Sequence, residues 1–302
     1  MKTVLFLSIA WTFLSVAACT GQEEPEMMQP ESMTDRMRFD VRYPEVGTVP
    51  SRVTDNHFDS GDSIGLYVAV SGQPLEPAGN EVNNAPLTWK GTSGWQAPQP
   101  IYWNGGTYDV FAYYPYTSSV TSVDDYPFEV ELDQNRPATD VRPGGYEASD
   151  FLFASARGQE AGTEAVTLQF HHILSKLQVR LIKGEDFEGE LPDDAEVYIH
   201  HTVPSATIDL SVGIATKYAY GSEQTIRARS LGGHKYAAII VPQRLPGRRP
   251  LLEVVMKGVS YLVESSFVFK PGIEHVLSVV IDKNPEQVKI EIGGEIEAWE
   301  PV

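Results

Sequence analysis

One cysteine stands in 302 residues, Cys19, so the chain cannot close a disulfide on itself. Positive charge is also scarce. Lys and Arg total 23 against 41 Asp and Glu, a net charge of −18, and loss of Lys2 with residues 1–18 makes the balance one unit more negative. So acidic a surface repels phosphate backbones, which makes nucleic acid a poor partner. The motifs of common chemistry are missing as well: there is no HExxH, no GxSxG, no Gly-rich phosphate loop and no CxxC pair. These absences point away from an enzyme and leave no cofactor or metal to place.

Several residues could suggest chemistry of their own. His171-His172 and His200-His201 sit in alternating segments, where neighbours face opposite sides, so neither pair can bring both rings to one ion. Each pair reads as one packed and one solvated ring. Asp124-Asp125 and Asp193-Asp194 have no ligand loop of calcium-binding spacing around them and read as solvated loop residues. Trp89, Trp95, Tyr102, Trp103, Tyr113 and Tyr114 admit two readings. One is core packing, since strands favour aromatics; the other is a sugar-stacking platform.

Residues 1–18 form a segment of their own. Lys2 supplies a short positive start, Val4 to Ala17 an apolar run too short to remain as a span, and Val16-Ala17-Ala18-Cys19 a close of small residues before the cysteine. That close resembles a bacterial lipoprotein lipobox, which implies removal of 1–18 and lipidation of Cys19. Several acyl chains, at about 0.8 kcal/mol per buried methylene, would hold the protein firmly on the outer membrane. Residues 19–37, acidic, Pro-containing and without periodicity, read as a disordered tether.

Beyond the tether the pattern is β throughout. The stretch VTLQFHHILSKLQVRLI, 166–182, organises it. Val166, Leu168 and Phe170 hold even positions; after His171-His172 the phase flips, and Ile173, Leu177, Val179 and Leu181 hold odd ones. Alternation marks a strand with one buried face, and the flip requires a bulge, corner or turn at the His pair. The stretch is thus expected to form a paired-strand unit. Further strands are expected at 38–42, 63–70, 107–116, 128–132 and 151–154, with 71–86 as loop. Lys183 to Ala195, polar and acidic, reads as a linker between an N-terminal domain at 38–183 and a C-terminal domain at 184–302. The latter holds eight short alternating segments bounded by Gly, Pro or Asn, the spacing of a β-sandwich. Nothing in 19–302 demands a helix.

The ordered set of segments resembles the fimbrillin family of Bacteroidales, pilus subunits and their accessory proteins. The resemblance rests on SGDSIGLYV (60–68), IYWNGGTYDVFAYYPY (101–116), DFLFA (150–154) and LQFHHILSKLQVRL (168–181). It continues through ATIDLSVG (206–213), IIVPQ (239–243), YLVESSFVFKPGIEHVLSVVI (261–281) and the closing Ile296–Trp299 segment. It implies an all-β fold of two consecutive transthyretin-like β-sandwiches. It also implies export as a lipoprotein, trimming by an Arg-specific protease, and head-to-tail assembly with other fimbrial subunits by strand donation at the cell surface. A host or bacterial surface ligand would be the adhesive partner. The alternative function is a glycan-binding lipoprotein of the outer membrane, resting on the aromatic cluster.

Two places follow for the assembly chemistry. Ser51-Arg52 matches the family's Thr/Ser-Arg upstream of the SGDSIGLYV motif, and cleavage there would release 38–52 with its strand. In the tail 287–302, Val288, Ile290, Ile292 and Ile296 all fall on even positions between Lys and Glu. That series could be a donor strand, apolar face into a neighbour's groove. Equally, Gly293-Gly294 could turn a hairpin that folds 295–299 back onto 288–292.

Overall fold

The computed structural model describes residues 36–44, 57–162, 164–283 and 289–296. The first half supplies β1 (Phe39–Arg42), β2 (Ser63–Val70), β3 (Val82–Trp89), β4 (Trp95–Gln96), β5 (Thr107–Tyr114), β6 (Tyr126–Glu129), β7 (Leu152–Glu160), β8 (Val166–Gln169) and β9 (His171–His172). The second supplies β10 (Ser175–Lys183), β11 (Glu196–Thr202), β12 (Ser205–Asp209), β13 (Ile214–Lys217), β14 (Gln224–Arg227) and β15 (Arg229–Gly232). It continues with β16 (Lys235–Ile240), β17 (Gln243–Met256), β18 (Val259–Phe269), β19 (Glu274–Ile281) and β20 (Lys289–Ile296). Among the described residues the only helical turns are Gly91–Ser93 and Glu147–Ser149, so the protein is all-β, in several sheets and without a barrel.

A six-stranded sheet, β4-β3-β2-β5-β7-β9, is buried on both faces at its centre, along β2, β5 and the start of β7. That is why β2 and β5 read as nearly unbroken apolar runs, SIGLYVAV and TYDVFAYY. On one face Ile64, Leu66, Val68, Val110, Ala112, Leu152 and Ala154 form a core with Val166, Leu168 and Phe170, closed by the two-stranded sheet β1-β8. On the other face Tyr67, Phe111, Tyr113, Phe151 and Phe153 meet the sheet β13-β12-β6. There Phe151 stacks on Tyr113 at 5.9 Å and takes Phe128 edge-on at 5.1 Å. This second core runs on without a break between a five-stranded sheet, β15-β16-β10-β19-β20, and a four-stranded one, β14-β11-β17-β18.

The stretch 166–182 does not fold as one paired unit. β8 pairs in parallel with β1, the His pair adds to β7, and β10 runs between β16 and β19 in the five-stranded sheet. The phase flip therefore marks a crossing between sheets, with Ile173 and Leu174 buried in the connection. β10, counted on the N-terminal side of a boundary at 183/184, pairs only with strands from beyond it; β6 likewise pairs with β12. Inside the sheet, Lys176 and Glu274, both fully buried, stand opposite each other with 3.4 Å between Nζ and Oε1.

Two strands depart from the expected pattern for local reasons. The segment 71–86, expected as loop, contains the start of β3, whose Asn83, Asn84 and Pro86 mask its strand character; Asn84 sits at φ 43°, beside an irregularity in the pairing with β2. β17 begins at Gln243, although Pro246 and Gly247 argue for a turn. They lie in a register shift of the β17–β18 ladder, where a bulge removes the need for their regular pairing.

A buried carboxylate ties the central sheet to the β12–β13 turn. Asp109 accepts hydrogen bonds from Ser71 Oγ at 2.9 Å, Arg157 Nη1 at 3.0 Å and Gly158 N at 2.9 Å. Arg157 also donates to the Ser211 carbonyl at 2.7 Å, and its guanidinium lies 4.2 Å over the Phe111 ring. Burial by itself raises the Asp109 pKa, but the hydrogen bonds from Gly158, Arg157 and Ser71 outweigh it and lower the value below the ordinary one. A lowered folded-state pKa stabilises the protein above the unfolded carboxylate range, and that stability is lost as pH falls through the folded value. Asp109→Asn is accordingly expected to cost about 1–3 kcal/mol at pH 7. Urea titrations should show the gap to wild type closing under acid conditions; a gap independent of pH would refute the charged role.

Candidate assembly edges

The first edge is built on the segment 36–44. Its Met37 is buried, and Phe39, Val41 and Tyr43 pack half-buried on the core of β2, β5, β7 and β8. The alternation of RFDVR places these apolar side chains inward and Arg38, Asp40 and Arg42 toward the rim, where Arg42 pairs with Asp40 at 2.7 Å. β1 is only four residues long and, among the described residues, pairs with a single strand. The Val166 and Phe170 amides donate to the Arg38 and Arg42 carbonyls at 2.8 and 3.0 Å, and Gln169 Nε2 donates to the Tyr43 carbonyl at 2.9 Å. At its start the segment touches a second neighbour: Met37 N donates to the Ile101 carbonyl at 2.8 Å, and Arg36 bridges Tyr102.

Past the end of β1, Tyr43 and Phe58 meet edge-to-face at 5.1 Å. Phe58 is also in ring contact with Trp95, Tyr114 and Phe170, at 5.0, 5.6 and 5.6 Å. Tyr114 donates to Asp62 at 3.3 Å, and burial first, then the Asp62 charge, pushes its pKa well above the ordinary phenol range. Phe58 thus holds together the places where the chain leaves and rejoins the described fold on either side of 45–56.

The second edge is β20, the outermost strand of the five-stranded sheet, paired antiparallel with β19 and with no other strand among the described residues. The hairpin considered at Gly293-Gly294 does not form. The strand runs straight through, and an extra residue at Gly293 makes a bulge opposite Val276. A Cβ at Gly293 would come within 3.2 Å of Val276, and Gly294 adopts φ 134°, so both positions suit glycine. The bulge interrupts the even-position series: Ile290 and Ile292 stand opposite Val279 and Leu277, whereas Ile296 stands opposite Glu274, in the other phase of the pleat.

Cys19, Arg52 and Val288 lie outside the described residues. The aromatic residues do not share one face: Trp89 and Trp95 touch at 5.5 Å and Trp103 lies in the β1-side core, while Tyr113 is buried in the opposite core. The histidine pairs are each engaged locally. His172 Nδ1 lies 3.0 Å from Asp150, His200 Nε2 lies 3.0 Å from Glu253, and His201 Nδ1 lies 3.0 Å from Glu223. Among the described residues no three His, Cys, Asp or Glu side chains are grouped to hold a metal ion. Sequence reasoning missed the Ile101–Trp103 segment as a wall of the β1 groove, because its contact with 36–37 spans more than sixty residues of chain.

Comparison with known proteins agrees with this architecture. No curated protein sequence matches the chain. A candidate cell adhesion protein of Bacteroides ovatus superposes with a TM-score of 0.67 at 20% identity, over 87% of this chain and 97% of that one. A second, from Bacteroides uniformis, gives 0.65 at 21% identity over 89% and 99%. The tip fimbrial protein Mfa3 of Porphyromonas gingivalis gives 0.50 at 8% identity over 80% and 95%. Identities so low speak for the fold alone. The sequence model described as Fimbrillin-like matches residues 51–299, and across that span, nearly the whole length of two adjoining β-rich halves, the chain belongs to the Fimbrillin-like family.

Proposed function

We propose that the protein is a structural and adhesive subunit of cell-surface fimbriae, exported as a lipoprotein through Cys19 and assembled by protease-triggered strand exchange. Cleavage after Arg52 removes 38–52, and with it β1. That leaves the β8 amides and the core of Leu168 and Phe170 open along a groove. A neighbouring subunit's extended segment then fills the groove with ladder hydrogen bonds and alternate side chains. Because donor and groove are different surfaces, the contact is head-to-tail and propagates as a filament. The donor from this chain is the tail 287–302; freed from β19 it loses the bulge, and its even-numbered apolar residues come onto one face.

The observation that carries this reading is the pair of peripheral strands. β1 is short, pairs with β8 at the periphery and is joined to the rest of the fold through the segment that holds Arg52, and β20 is an outermost strand. The distribution of arginines supports the same cut. Arg136, Arg142 and Arg249 precede proline, which offers a protease no amide N–H and a fixed φ. Arg157, Arg180, Arg227, Arg229, Arg244 and Arg248 lie within strands, and Arg36, Arg38 and Arg42 belong to the segment bound over the groove. A strand must unfold locally before a protease can take it. The family is one of fimbrial structural proteins rather than enzymes. The reading is tested by treating the purified full chain with an Arg-specific protease. SDS-resistant ladders are expected; a cleaved chain that stays a monomer at all concentrations refutes assembly by exchange.

A further inference from the structure

In the core that the segment 36–44 shares lies a buried polar atom with no partner among the described residues. The indole Nε1 of Trp103 has no hydrogen-bond acceptor, although the residue is only 9% exposed. A buried N–H left unpaired costs about 1–3 kcal/mol, and native folds keep few of them. Its position is informative. Met37 shares its core cluster, Met37 N is bonded to the neighbouring Ile101 carbonyl, and Arg36 bridges Tyr102. Loss of the segment carrying Met37 therefore uncovers this part of the wall. The Tyr67 hydroxyl, also buried and unpaired, belongs to the opposite core, where no incoming strand reaches.

We propose that Trp103 selects the strand that replaces β1, its indole N–H taking an acceptor oxygen from a side chain on the core-facing side of that strand. This rests on the strand-exchange reading above. The tail of this chain offers Val288, Ile290, Ile292, Gly294, Ile296 and Ala298 at alternate positions, with no side-chain oxygen among them. The groove therefore accepts this chain's own tail but favours a strand with Ser, Thr, Asn or Asp among its inward apolar residues, as a different subunit could supply. A strand of that kind converts the cost of the orphaned N–H into a hydrogen bond, so the groove discriminates between donors of equal apolar length.

The test is a coupling measurement. Labelled peptides of residues 287–302, native or with a single Ser in place of Ile290, Ile292, Ile296 or Ala298, are offered to the full chain during Arg-specific cleavage. Each is measured against wild type and Trp103→Phe, which keeps a ring and loses the N–H. At one position the Ser peptide is expected to gain about tenfold in relative affinity for wild type over the Phe variant, the equivalent of one hydrogen bond. At the other positions the ratio stays near one, and the uncleaved Phe variant unfolds at the wild-type midpoint or above it. Ratios near one at every position overturn the inference and leave strand exchange standing. Failure of the wild-type chain to take up any peptide overturns strand exchange, and the inference with it.

Discussion

Arg52→Ala is expected to abolish polymerisation while leaving the folded monomer at its original stability. The segment of β1 is held by one parallel ladder, the contacts of Arg36 and Met37 with Tyr102 and Ile101, the burial of Met37 and the half-burial of Phe39, Val41 and Tyr43. Burying such a side chain completely is worth about 1.5–3 kcal/mol, so an incoming strand that buries comparable apolar side chains can match these contacts. The advantage of β1 is covalent. While 45–56 links it to the fold, β1 competes for its own groove at an effective concentration of order millimolar. After a cut it competes at its bulk concentration, roughly a thousandfold lower, a shift of about 4 kcal/mol in favour of an incoming strand. Without the cut, exchange has to overcome that difference. Gel ladders and the mass of the mature N-terminus check the prediction. An Arg52→Ala chain that polymerises like wild type, or a surface form that still begins at Cys19, refutes it; the second result would mark an uncleaved anchor subunit.

The second large effect is expected from the tail. Deleting Gln287 to Val302 should give a folded protein that no longer grows chains yet still accepts a donor strand. Among the described residues β20 pairs with β19 alone, and β19 stays paired with β10 after β20 is gone, so the five-stranded sheet loses an outer strand and keeps its centre. The deletion is expected to lower stability without unfolding the monomer, which a urea titration checks. Chain growth should fall to nothing, since each truncated copy has a groove and no donor. Mixed with cleaved wild type, the truncated protein should therefore shorten the ladders in proportion to its share, by capping one end of each chain. Ile290→Asp should weaken donation by several kcal/mol, because a charge would enter an apolar groove. If the truncated protein instead unfolds on its own, the tail belongs to the resident core and the donor assignment is wrong.

How much of this could be read from the chain alone follows from the range over which each force acts. Alternation and apolar runs are local, so the sequence by itself determined that the protein is all-β. It also determined where β2, β5 and most of the second-half strands lie, and that the phase breaks at His171-His172. The local signal failed where turn-forming residues sit inside a strand, at Asn83, Asn84 and Pro86 in β3 and Pro246 and Gly247 in β17, and left two readings open at Gly293-Gly294 in β20; the Asn pair, the Pro246-Gly247 pair and the glycine pair each fall at an irregularity in pairing. Which strand pairs with which was decided only by the tertiary structure. β8 and β10 are neighbours in sequence and part company, one to β1 and the other to β16 and β19, because pairing is chosen by the burial of both faces across the whole molecule. The same holds for Trp103, whose unpaired N–H is invisible in any window of sequence. It emerges only when the chain brings Trp103 into one core with Met37, more than sixty residues away.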